Sequence, residues 1–245
     1  MARHRPAAEG GYQRGEETRA RIVDAALRLF GERGYEGAST RDIAREAGVN
    51  APALQYYFDS KEGVYLACIA FFVERVWEHL EDVVSHAEAV LADAQAGDRA
   101  LTDAYLGIQA RFASFACDVP EAVHWRMFMA RERAGLGPAA SFDVIDKGLN
   151  RRLFAATSGL IGRLLGKPAD DEETRIRTLT IDGQVLVFRM MRRQVLSMLG
   201  WENIGQQETE RVAAVILDQT RELLAALVKS RKARLAKAAG GQARD

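Results

Sequence analysis

Apolar residues recur every three to four positions along nearly all of this 245-residue chain, and only five prolines interrupt them. A strand needs alternation at every second residue. The longer period keeps apolar groups on one face of a helix, so the expected fold class is all-α. Ala, Leu, Arg and Glu are plentiful, and such side chains lose little rotamer freedom in a helix. The breaks fall where helices are stopped: at Gly34, Gly48, Gly97-Asp98, Val119-Pro120, Gly135 to Pro138, Gly166 to Pro168, and Gly200 to Gly205. No internal repeat of fixed period shows.

The first helix carries Ile22, Ala25, Ala26, Leu29 and Phe30 on one stripe, with Thr18 as its expected cap and Gly34 as its stop. Ser39-Thr40-Arg41-Asp42 has the form of a capping box, which places a second helix over about 40–47, closed by Gly48. Pro52 suits the first turn of a third, short helix that reaches Phe58, because its missing N–H has no partner there anyway. Asp59 or Ser60 caps a fourth, running through Val64, Ala67, Phe71, Val76 and Leu80 towards Ala96. Further helices are expected at about 99–117, 121–134, 139–166, 171–199 and 206–235. Residues 1–15, with three glycines, are expected to form a flexible basic arm and 236–245 a flexible tail.

Composition excludes more than it selects. Lys plus Arg equals Asp plus Glu at 34 each, so net charge points to no nucleic acid, although a DNA-binding face needs only local positive charge. The two cysteines, Cys68 and Cys117, lie in apolar helical stretches and read as buried free thiols. No apolar stretch follows the charged N-terminus as a signal peptide requires, and the longest apolar run, Val64 to Val73, is too short to span a bilayer. A cytoplasmic protein without membrane contact is expected. His79 and His86 are seven residues apart with no Cys or carboxylate to complete a zinc-like set, and no phosphate loop, nucleophile elbow or metalloprotease motif occurs. The expectation is no metal, no cofactor and no catalytic residue.

Residues 39–58 carry the functional signal. Two short helices meet at the turn Gly48-Val49-Asn50, and Ile43, Ala44, Ala47, Val49, Leu54 and Phe58 fix them at an angle. A recognition helix of this kind offers its leading residues to the major groove while its predecessor crosses the backbone. The expected DNA-binding residues are Thr40, Arg41, Asn50, Ala51, Pro52, Ala53, Gln55, Tyr56, Tyr57 and Lys61. Small side chains at 51 and 53 permit close approach and suit thymine methyls. The Gln55 amide suits adenine, and the Arg41 fork suits guanine or phosphate. Tyr56, Tyr57 and Lys61 are placed for phosphates.

The same stretch resembles the DNA-binding domain of the TetR family. The residues that carry the likeness are Thr18-Arg-x-x-Ile22, Ala25-Ala26-x-x-Leu29-Phe30, Gly34-Tyr35, Thr40-x-x-Ile43-Ala44-x-x-Ala47-Gly48-Val49 and Tyr57-Phe58-x-x-Lys61-Glu62. The resemblance implies an N-terminal three-helix domain at 16–76 and, at 77–235, a larger helical domain that dimerises and binds a small effector. It also implies a repressor released from a palindromic operator when the effector binds. One position departs: many members carry Tyr where Gln55 stands, so the operator is not transferable. More loosely, Tyr56-Tyr57-Phe58-x-Ser60-Lys61-Glu62 and Arg131-Glu132 before Pro138 are similar to the subgroup whose C-terminal domain is shared with the regulator CecR, members of which are tied to transport and drug-sensitivity genes.

In the larger domain, the helix expected at 171–199 is apolar on more than one side, with Ile176, Leu179, Leu186 and Met190 on one stripe and Val185, Phe188, Met191 and Val195 on another. Such a helix must be covered twice, by a core and by a second copy, so a homodimer is expected, with one large monomeric core as the alternative. Phe112, Phe115, His124, Trp125, Phe128, Arg131 and Phe188 are candidate lining of a largely apolar effector pocket, against the reading that most of them simply pack. The partners so expected are an operator duplex, a small-molecule effector and a second copy of the chain. Two other classes stay open: a helical-bundle enzyme, and a constitutive DNA-binding protein without effector.

Overall fold

The computed structural model describes residues 7–114 and 122–242; Arg3, Arg5, Phe115 and Cys117 lie outside them. Among the described residues every regular element is a helix: α1 (Ala7–Gly37), α2 (Thr40–Glu46), α3 (Ala51–Phe58), α4 (Lys61–Ala92), α5 (Asp98–Ser114), α6 (Ala122–Arg133), α7 (Ala139–Ile145), a π-turn (Asp146–Asn150), α8 (Arg151–Leu165), α9 (Glu172–Met190), α10 (Arg192–Leu199) and α11 (Gln206–Gln242). No helix among them is long and apolar enough to cross a membrane.

Several expected boundaries move. The chain is helical from Ala7, so the arm expected over 1–15 is helix in its described part. Thr18 does not cap; its Oγ1 donates to the Arg14 carbonyl at 2.8 Å from inside the helix. Glycines at about 1 kcal/mol each weaken this segment without stopping it. The helix expected over 139–166 is divided by the π-turn, and that over 171–199 by Met191 (φ −104, ψ 34), a break without Gly or Pro to announce it. The last helix runs on to Gln242, so the tail expected over 236–245 is helical in its described part, which Ala236, Lys237, Ala238 and Ala239 favour.

Two compact units emerge, one from Met1–Glu74 with Pro120–Gly148, the other from Arg75–Val119 with Leu149–Asp245. The first therefore contains α6 and α7, which the expected boundary at residue 76 had assigned to the larger domain. Its centre is the α1 stripe of Ile22, Ala25, Ala26, Leu29 and Phe30, all buried as expected. Against it lie Ile43 and Ala44 of α2, Leu54 and Phe58 of α3, and Val64, Tyr65, Cys68 and Ile69 of α4. Each large side chain so removed from water contributes about 1.5–3 kcal/mol. Phe128 of α6 completes an aromatic knot, with ring centroids 4.8 Å from Tyr65 and 6.4 Å from Phe30. Helices α1 and α6 approach so closely that a Cβ on Gly31 would stand 2.9 Å from the His124 carbonyl oxygen. Cys68 is fully buried, and its Sγ faces the Val23 carbonyl at 3.7 Å. Burial pushes its thiol far above the ordinary range.

Arginines close this unit's helix ends. Gly34 leaves the helical range (φ 76), and Arg131 of α6 donates from Nε to the Gly31 carbonyl and from Nη2 to that of Glu32, both at 2.9 Å. A guanidinium thus satisfies acceptors that a helix terminus leaves bare. The second unit repeats the device. Arg163 of α8 donates to carbonyls beyond α4, at 2.8 Å to Asp93 and 2.9 Å to Ala96, while Arg231 and Arg234 of α11 reach the Arg163 and Leu165 carbonyls at 2.7 and 2.6 Å. Its core joins Leu80 and Val84 of α4, Leu101 and Ile108 of α5, Leu160 and Leu164 of α8, Ile181 and Val185 of α9, and Ile216 and Leu224 of α11.

Candidate nucleic-acid interface

Capping decides where the two short helices stand. Ser39 precedes α2 in an extended conformation, and the Asp42 N–H donates to its Oγ at 3.1 Å. The same hydroxyl donates to Asp42 Oδ2 at 2.7 Å, which with Arg45 and Arg33 nearby holds the Asp42 carboxyl below its ordinary range. Helix α2 ends in a Schellman motif: Val49 N–H reaches the Ala44 carbonyl at 2.9 Å, Gly48 N–H reaches that of Arg45 at 3.2 Å, and Gly48 is left-handed (φ 66). Asn50 then caps α3, accepting from the Ala53 N–H at 2.9 Å, with Pro52 in the first turn. Only Leu54 and Phe58 of α3 are buried, wedged against α1 and α2.

What remains of α3 is a bare outer face. Ala51, Pro52, Gln55 and Tyr56 are exposed, Tyr56 at 83%, and Arg41 of α2 is exposed beside Thr40, which is half-buried. Tyr57 is half-buried, its ring edge-on to Tyr56 at 5.3 Å. Three of the expected contact residues are already engaged within the chain. The Asn50 amide oxygen serves as cap. Gln55 donates from Nε2 to the Asp59 carbonyl. Lys61 rests over the Tyr35 ring, Nζ 4.4 Å from its centroid and 3.5 Å from the Glu36 carbonyl. Ser60 caps α4 by accepting from the Gly63 N–H at 3.0 Å, which settles the choice between it and Asp59.

The residues expected to line an effector pocket divide between the units. His124, Trp125, Phe128 and Arg131 fall in the first, Phe112 and Phe188 in the second, and Phe115 lies outside the described residues. Trp125 is buried against the Phe71 and Phe72 rings at 5.7 and 6.1 Å, Phe128 is at the aromatic knot, and Arg131 caps α1. In the second unit, Phe112 and Phe188 pack on a buried cluster of Ala113, Val185 and Ile216. A polar group lies in this unit that the sequence reading passed over: Tyr105 and Thr157 donate to Asp182, and Gln109 is buried beside them on α5. The signal was available, since Tyr105 and Gln109 stand four residues apart on a helix that also buries Leu101, Ile108 and Ala113.

A short capped helix held at a tight turn by its predecessor, with its outer side uncovered, defines a helix-turn-helix DNA-binding protein. Residues 22–68 match the family of bacterial regulatory proteins described as the tetR family, and residues 101–227 match the C-terminal domain of the HTH-type transcriptional dual regulator CecR. The chain belongs to the TetR family of transcription regulators, in the group that carries the CecR C-terminal domain. It is 29% identical over 199 residues to the HTH-type transcriptional dual regulator CecR of Shigella flexneri, covering 81% of this chain and 87% of that one. Among solved structures it is similar to AibR in complex with isovaleryl coenzyme A and operator DNA (TM-score 0.58, 16% identity, 83% of this chain and 97% of that one). It is also similar to FadR of Bacillus subtilis in complex with stearoyl-CoA (TM-score 0.51, 16% identity, 84% and 96%). These structural likenesses carry the fold.

Proposed function

We propose that the protein is a homodimeric repressor that holds a palindromic operator through α3 and leaves it when a small, largely apolar effector binds the second unit. The observation that carries this reading is the uncovered face of α3, capped at its start by Asn50 and wedged by Leu54 and Phe58. Ala51, Pro52, Ala53 and Gln55 then meet base edges, while Thr40, Arg41, Tyr56, Tyr57 and Lys61 meet phosphates. To reach a base, Gln55 exchanges the Asp59 carbonyl for an adenine edge; to reach a phosphate, Lys61 leaves the Tyr35 ring.

A second copy suits the outer stripe of α9. Ile176, Leu179, Val187 and Met190 are all exposed there, and Gly183 between them has open space beyond its Cα. Two-fold pairing along that stripe presents two copies of α3 to two half-sites, which lie about 34 Å or a multiple apart. The effector acts by binding one conformation of the regulator better than the other. A second reading, activation at some promoters and repression at others, is favoured by the likeness to the Shigella flexneri relative, a transcriptional dual regulator.

Selection of bound sequences from a random duplex pool tests the proposal and should yield a palindrome. On that duplex, Lys61→Ala should weaken binding to all sequences alike and flatten the salt dependence, whereas replacing Gln55 should alter preference at one base pair by about 1–3 kcal/mol. Recovery of no palindrome would overturn the reading.

A further inference from the structure

Protein interiors rarely keep a polar group without a partner, because each one costs about 1–3 kcal/mol. The second unit keeps several. Gln109 on α5 is 4% exposed, and neither its amide nitrogen nor its amide oxygen has a hydrogen-bond partner. Gln184 Oε1 on α9 and Thr220 Oγ1 on α11 are likewise buried and unpartnered. One turn before Gln109, the Tyr105 hydroxyl donates to Asp182 Oδ1 at 2.5 Å, and Thr157 Oγ1 of α8 donates to Asp182 Oδ2 at 3.2 Å. Among the described residues, no Lys, Arg or His forms an ion pair with this carboxylate. Burial pushes the carboxyl up to about 6 against the opposing pull of the two hydroxyls, as expected of an acid that lacks a counter-charge.

Apolar surface adjoins this set on the same two helices. Ala113 follows Gln109 by one turn on α5, and Val185 follows Asp182 by three residues on α9; both belong to the cluster on which Phe112 and Phe188 pack. A carboxylate short of a cation, an amide short of both a donor and an acceptor, and two aromatic rings together describe the complement of a ligand. An anion in the same place would add like charge to Asp182.

We infer that Tyr105, Gln109, Thr157 and Asp182 form a binding site for a small amphipathic amine, whose ammonium group pairs with Asp182 and whose apolar body lies against Phe112 and Phe188. A second polar group on the amine, where present, meets the Gln109 amide. The inference rests on the reading of the second unit as the effector-binding half and gives that effector a chemical class. It also separates the site from any that takes a carboxylate or phosphate directly.

Three matched probes test it on the full chain: 4-phenylbutylamine, 4-phenylbutanol and 4-phenylbutyrate, each followed by calorimetry and by thermal shift. The amine should bind at least about tenfold more tightly than the alcohol, since hydrogen bonds to charged groups exceed neutral ones by that much, and the carboxylate should bind least. Asp182→Asn should abolish the tenfold preference while leaving the alcohol's affinity in place. Gln109→Leu, which spares the carboxylate, should keep the order of the three probes. Equal affinity of amine and alcohol for the natural protein, tighter binding of the carboxylate, or no detectable amine binding at millimolar concentration would each overturn the inference without recourse to any variant. Affinity for the selected operator duplex is measured in parallel. Amine binding that leaves duplex affinity unchanged upholds the site and overturns its role in release, whereas absence of duplex affinity without any probe overturns the repressor reading alone.

Discussion

The interiors of the two units are built to different standards. Around Phe30, Tyr65 and Phe128 the first unit is closed: rings meet tilted or edge to face, and Glu132 accepts from Tyr65 at 2.8 Å and from Ser141 at 2.5 Å. Among the described residues, its buried exceptions are the Nε of Arg28 and the Nδ1 of His124. The second unit has an apolar core too but, among the described residues, leaves Gln109, Thr174, Thr220 and part of Gln184 unsatisfied and a carboxylate without counter-charge. A core with its bonds made has one arrangement, which suits a part whose task is to present a short helix at a fixed angle. A core with bonds unmade has free energy to gain from a molecule that makes them, which suits a part that responds.

That contrast can be broken most severely at Phe128. It is 1% exposed, and Phe128→Ala should destabilise the first unit by about 3–5 kcal/mol in urea unfolding. A smaller loss than that of Phe112→Ala in the second unit would reverse the comparison. Next comes Gly137, where a Cβ would stand 2.1 Å from Glu132 Oε2 and 2.6 Å from the Tyr65 hydroxyl. Gly137→Ala should cost about 1–3 kcal/mol, read as a lowered melting temperature, by forcing that network apart.

Asp182 sharpens the comparison through pH. Its folded-state value of about 6 lies above the ordinary 3.8, so the folded protein holds this proton more tightly than the unfolded chain does. The resulting stability is complete below pH 3.8 and is lost as pH rises to 6, where the carboxylate ionises inside the fold. Asp182→Asn should remove that fall, so that its stability relative to the natural protein improves between pH 4 and 7 by on the order of 2 kcal/mol. Denaturant midpoints across that range provide the check, and parallel pH curves for the two proteins would contradict it. The smallest effect belongs to Gly48→Ala, about 1 kcal/mol, because the left-handed turn that ends α2 disfavours a side chain although nothing lies within 4 Å to clash with it.

The helix punctuation of the first unit was legible because it rests on local chemistry. Ser39, Gly48, Asn50 and Pro52 act within a turn of where they stand, and each does what its residue type predicts. Thr18 misled because a hydroxyl that donates to the Arg14 carbonyl inside a helix has the same sequence neighbourhood as one that caps it. The break at Met191 carries no Gly or Pro signature, and the π-turn at Asp146–Asn150 holds a single glycine, Gly148, of the kind a continuous helix tolerates, so periodicity ran straight through both. The grouping of α6 with α1 was hidden for another reason. It depends on partners about a hundred residues away, such as Arg131 with Gly31, and no local pattern encodes them. The candidate amine site was missed because a polar residue on an apolar stripe reads as noise until its partner on another helix is known.

Cys68 offers a practical handle on how often the DNA-binding unit loosens. Sealed between α4 and the Val23 carbonyl of α1, and held as the unreactive thiol, it is shielded from any alkylating reagent while those helices stay together. With Cys117 replaced, the rate at which a maleimide marks this sulfur becomes a clock for their parting. Comparing that clock with and without operator duplex would show whether gripping DNA slows the breathing of the part that grips it.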